Sequence, residues 1–203
     1  MQDAQQHLTG SPQLAQVLDG LQSYADKENR RFIHLVDGGI TDNLGLRAIY
    51  DIIEVAGGPR RLLRSVGAKP ASRLAIVSVN ASTRVGSDME ASARAPTLEQ
   101  TANAVTDIQL HRYNASTVEL LQASIQRWAQ ELSTPAAPVA SYFVQVDFEA
   151  IAEPERQVYF NRIPTSLALS GEQVDQLIAA GRELLRDNVE FRRFVKDLGG
   201  EVH

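Results

Sequence analysis

Phe32–Ala56 reads FIHLVDGGITDNLGLRAIYDIIEVA, and the way its apolar start breaks off decides what kind of fold the chain builds. Phe32–Val36 is a run of mostly β-favouring residues that stops at Asp37-Gly38-Gly39, which predicts a strand ending in a sharp turn. Leu44, Ala48, Ile49, Ile52, Ile53 and Ala56 then mark one face of a helix. Asn43 is its expected N-cap and Gly57-Gly58-Pro59 its stop. Further on, Leu74–Val79 is apolar at nearly every position, the pattern of a strand covered on both faces in a mostly parallel sheet. Strand, helix and strand make one right-handed crossover unit, so the chain reads as α/β.

Working outward, Leu14, Val17, Leu18, Leu21 and Tyr24 recur at helical spacing and predict a short amphipathic helix covering a core formed by later residues. Residues 80–96 turn to Ser, Ala, Thr, Arg and Gly without period, which predicts a mobile surface loop. Thr97-Leu98-Glu99-Gln100 has the form of a capping box. Leu121, Ile125, Trp128 and Leu132 extend a helical stripe from it, so a long helix or a broken pair is expected over residues 97–132. Tyr142, Val144, Val146 and Phe148 alternate with more polar neighbours, as in a strand nearer a sheet edge. Ser170 and Gln173 open a further helix with Val174, Leu177, Ile178, Gly181, Leu184 and Leu185 on its buried side, and Phe191, Phe194, Val195 and Leu198 mark a last short one. Three strands are few for a sheet buried on both faces.

The 203 residues, 43% of them hydrophobic, suffice for one domain with a core. A net charge of −5, with basic residues spread among acidic ones, leaves no electrostatic footprint for nucleic acid, which is not expected as a partner. The absence of cysteine excludes disulfides, thiolate catalysis and cysteine-held metals. No run approaches the roughly 18 apolar residues of a membrane span, so the chain as given reads as soluble. Asn80-Ala81-Ser82 and Asn114-Ala115-Ser116 match the glycosylation triplet, a pattern too short to carry weight.

The chemistry turns on Asp37. Ligands of open α/β sheets gather beyond the carboxyl ends of the strands, and Asp37 is expected at such an end. Gly38 and Gly39 offer unusual backbone angles and room for close approach to the carboxylate. An aspartate held there, partly buried, can take a proton from an attacking hydroxyl, but acyl chemistry also needs a nucleophile and an oxyanion-stabilising loop. The same composition serves a plain turn. A cation loop from Asp37, Asp42 and Asn43 is a third reading, but it lacks the glutamate of a calcium hand, and no metal is expected.

The segment HLVDGGITDNLGLRAI resembles the aspartate block of patatin-like phospholipases, lipid acyl hydrolases that use a Ser-Asp dyad. The tail YFNRIPTSLALSGEQVDQLIAAGRELL is similar to the closing segment of bacterial members, with Ile163-Pro164-Thr165 before a capped helix. The resemblance implies that Asp37 orients and deprotonates the serine, that Gly38, Gly39 and Asn43 complete the motif, and that the fold is a three-layer α/β/α sandwich. It implies hydrolysis of a fatty acyl ester through an acyl-enzyme without cofactor, with a lipid as partner and contact with a membrane surface. Bacterial relatives of this kind are often envelope or secreted proteins. His34, just before the block, and Asp42 within it are candidates to line the site.

The family's G-x-S-x-G elbow and glycine-rich oxyanion loop come before the aspartate block, and neither is in this sequence. Ser87 follows the aspartate and lacks the flanking glycines. The expectation is therefore a single partial domain over residues 1–203, the carboxyl-terminal portion of a hydrolase domain whose amino-terminal half is the missing partner and which alone is inactive. The alternative is a non-catalytic lipid- or protein-binding remnant of the fold. His111 and Trp128 are assigned to packing, and Arg84 and Arg94 to solvated charge rather than to anionic headgroups.

Overall fold

The computed structural model describes residues 12–82 and 93–202. Its elements run α1 (Pro12–Ser23), α2 (Gly39–Asp42), α3 (Leu46–Val55), α4 (Pro59–Ser65), β1 (Arg73–Asn80), α5 (Leu98–Leu132), β2 (Ala140–Asp147), a 3-10 turn (Phe148–Ala150), α6 (Pro154–Asn161), α7 (Gly171–Asp187) and α8 (Val189–Asp197). Helix and strand are mixed, as an α/β reading requires. The described sheet is a parallel pair, β1 beside β2, with Arg73 opposite Ala140 and Asn80 opposite Asp147. The long α5 makes the crossover between the two strands, which parallel pairing demands.

The core lies along the second half of α5. Leu121, Ile125 and Trp128 are buried there with Leu46 of α3, and Leu44, Tyr50, Ile53, Leu74, Ile76 and Phe143 close around them. Trp128 also donates its indole N–H to Glu54 Oε1 at 3.1 Å, so its one polar atom is satisfied. On the other face of β2, Tyr142, Val144 and Val146 are buried. There Tyr142 donates to the Asp197 carboxylate of α8 and lies under the Arg193 guanidinium, 4.2 Å from its ring centre. That hydrogen bond, with burial second, pushes the Tyr142 hydroxyl above its ordinary pKa. A second cluster joins Ile151, Phe160, Ile163 and Ala180 beneath α6 and α7.

Both expected capping boxes form. Thr97 and Ser170 each accept the N–H of the glutamine three residues on, and that glutamine's side chain accepts the cap's own N–H. The 97–132 stretch is one unbroken helix of 35 residues.

Other expectations are corrected. Phe32–Val36 forms no strand: it has no ladder partner and is exposed, with Leu35 at 89%. A strand exists only through a ladder, and the described residues place nothing beside this run. β1 is covered on one face only. Leu74, Ile76 and Ser78 turn inward, while Val77 and Val79 on the other face stay about half exposed or more. The buried side of α3 is Leu46, Tyr50 and Ile53 rather than Ala48, Ile49 and Ile52, which face outward. In α7, Val174 and Ile178 are exposed, and Ala180 with Leu177 and Leu184 makes the contact. α1 forms, but Val17 and Leu21 are exposed, so it does not cover the core. Most of the 80–96 loop, with Arg84 and Ser87, lies outside the described residues.

Candidate active site

Asp37 precedes α2, a single turn whose amides point back toward it. Its Oδ1 accepts the Gly39 N–H at 2.7 Å, and its carbonyl accepts the N–H of Ile40 at 3.1 Å. Neither glycine adopts an unusual angle, and only Gly39 serves proximity. Gly38 has φ −60°, which any residue adopts, but a Cβ on Gly39 would stand 2.9 Å from Asp37 Oδ1 and 3.3 Å from Asn43 Oδ1. Gly39 thus lets the carboxylate close onto the backbone. A carboxylate holding one N–H keeps further acceptor capacity for a proton donor.

The acids and amides that follow divide their roles differently from the sequence expectation. The N-cap residue of α3 is Gly45, not Asn43, and the side chain that serves the first turn is that of Asp42, three residues earlier. Its two carboxylate oxygens accept the N–H groups of Arg47 at 3.1 Å and Ala48 at 2.9 Å, satisfying donors in the first turn of α3. Gly45, at φ +65°, makes the bend that lets Asp42 reach forward. Asn43 reaches across instead. Its Nδ2 donates to Ser82 Oγ at 2.9 Å, and Ser82 N–H is held by Asn80 Oδ1 at 3.0 Å, so the Asp37 turn is latched to the end of β1.

These parts border a cleft of about 970 Å³. One wall is the Asp37 turn with Ile40 and Leu44, and another is the β1 end with Val79 and Ser82. The third is the exposed first half of α5, carrying Val105, Asp107, Leu110 and His111, and Thr165 joins from the segment before α7. The cleft therefore unites Asp37, Gly39 and Asn43 with Thr165, from the two stretches that carry the resemblance. Gly38, His34 and Asp42 are not among its lining residues, and His34 is exposed on the unpaired run.

Asp37 itself is exposed, so the expected partial burial is not found. Among the described residues no hydroxyl donates to it; Ser82, the serine in the cleft wall, is engaged by Asn43. His111, which the sequence assigns to packing, and Asp107, which it does not single out, both line the cleft. They lie four positions apart on one face of α5, a spacing visible in the sequence, but which way that face turns is set by packing at Trp128 far along the helix. No group of metal-binding side chains is found among the described residues, nor any helix long and apolar enough to cross a membrane. No protein-family model, curated protein or solved structure matches the chain.

Proposed function

We propose that the chain contributes the aspartate half of a Ser-Asp lipid acyl hydrolase site of patatin type, within a three-layer α/β/α sandwich. A further segment supplies the serine elbow and oxyanion loop. The observation that carries the reading is the cleft shared by Asp37 and Thr165, in which the carboxylate is steadied by Gly39 and faces walls rich in Ile, Val and Leu. In this reading Asp37 orients the incoming serine hydroxyl and takes its proton as it attacks the ester carbonyl, and the apolar walls receive the acyl chain. Gly38 continues the turn, Asn43 holds it to β1, and no cofactor enters the reaction. The substrate is an acyl ester presented at a membrane surface, and an envelope or secreted location accords with that.

The second reading is a lipid- or protein-binding module without catalysis. It is favoured by one fact: among the described residues Asp37 accepts no hydroxyl.

In-frame translation of the DNA upstream of the Met1 codon separates the two. A glycine-rich loop and a G-x-S-x-G elbow are expected within roughly 100–200 residues. In that longer protein Asp37→Asn should lower ester hydrolysis by roughly 10²–10⁴-fold, the usual worth of a positioned base. A stop codon with no encoded nucleophile would sink the hydrolase and leave the binding module.

A further inference from the structure

Among the described residues, the charge lining the cleft is one-sided. Asp37 brings a carboxylate from the turn before α2 and Asp107 brings another from α5, while the lining residues among those described include no lysine or arginine. His111, one turn beyond Asp107, can add at most one positive charge against those two. The lining also carries exposed apolar side chains, Ile40 at 61%, Val105 at 54% and Val79 at 65%, among uncharged polar ones such as Thr41, Asn43, Ser82 and Gln109. A ligand seated there lays an apolar body on these side chains within the field of two carboxylates, a field that salt screens.

We propose that this cleft selects its ligands by charge: it takes apolar molecules whose polar end is neutral or cationic and turns away anionic ones. The inference rests on the hydrolase reading only for its consequence in catalysis. There it names the substrate class as acyl esters with uncharged or cationic head groups. It also means that the carboxylate released by hydrolysis is repelled by Asp37 and Asp107 as it forms, which favours product departure over rebinding.

The test needs no turnover. Binding of decyltrimethylammonium, decanol and decanoate to the purified chain is measured by titration calorimetry at low ionic strength and below micelle formation. The cation should bind about tenfold more tightly than the anion, with the alcohol between, and the spread should shrink as salt rises. The whole chain carries a net charge of −5, so a diffuse preference for cations must be separated from a local one. Asp107→Asn should narrow the spread, whereas Asp175→Asn, which removes the same charge from an exposed position on α7 outside the cleft lining, should leave it unchanged. Equal affinities, a preference for decanoate, or an equal effect of the two substitutions would each overturn the proposal. If charge selection holds but no serine elbow is encoded, the hydrolase reading falls and the selective cleft stands.

Discussion

Two stretches with strand-like apolar residues have opposite fates. Tyr142, Val144 and Val146 of β2 are buried, clamped between the sheet and the last two helices. Phe32, Ile33, Leu35 and Val36 stand between 65% and 89% exposed beside the catalytic candidate. Both have the composition of a strand interior. What separates them is a neighbour: β2 has β1 in register on one edge and α8 across one face, while the Phe32–Val36 run has neither. The sequence pattern records that a residue is to be buried but not by what. The outer faces of β1 and α3 are exposed as well, and Val79 of β1 lines the cleft together with the candidate acid.

The contrast can be broken from the buried side first. Trp128→Ala should destabilise the chain by about 3–5 kcal/mol, because it opens a large void in the α5 core and leaves Glu54 without its indole donor. Denaturant unfolding gives the value, and a loss below about 1 kcal/mol would mean that the core is not packed as described. The Tyr142 pair tests the same region by pH. Its protonated hydroxyl is favoured in the folded state, so the stability it adds is fully present below the ordinary tyrosine pKa of about 10. That stability is lost as pH rises through the elevated folded value. Tyr142→Phe should flatten the alkaline fall in unfolding free energy; an unchanged profile would count against the Asp197 bond.

At the site, Asp42→Ala should cost about 1 kcal/mol through the lost bonds to the first turn of α3, and Asn43→Ala less, since it removes one exposed hydrogen bond. The reverse order would make Asn43 the residue that serves that turn. The smallest effect is expected on the exposed run. Leu35→Ser should shift stability by no more than about 0.5 kcal/mol in this chain. A larger loss would show the run to be covered in solution and sharpen the contrast into a question of what covers it.

How much of this was legible depended on the range of the forces involved. The capping boxes at Thr97 and Ser170 were read correctly because four consecutive residues complete them. The long α5 and both strands of the parallel pair followed from periodicity. The Phe32–Val36 strand failed because pairing is non-local, and the buried face of α3 was misread because Ile49 and Ile52 are as apolar as Leu46 and Tyr50. Asp42 and Asn43 are both good caps in adjacent positions, and only the bend at Gly45 chooses between them. α6 went unread although Pro154 stands at its start, a signal with a mechanism, since proline in the first turn sacrifices no hydrogen bond. Asp37 could be singled out from sequence and does line the cleft, but the place of His111 and Asp107 in its wall required the packed helix.

That helix has a mechanical side. Its second half is gripped from Asn114 onward, where its buried residues begin, and its first half stands largely in solvent with Asp107 and His111 on it. It is a cantilever with the clamp at one end and the cleft wall on the overhang. Asp107 lies seven residues beyond Asn114, roughly 10 Å at the rise of an α-helix, so a tilt of roughly 10° at the clamp carries it roughly 2 Å. A core change that tilted the helix at its clamp would therefore carry Asp107 with it relative to Asp37.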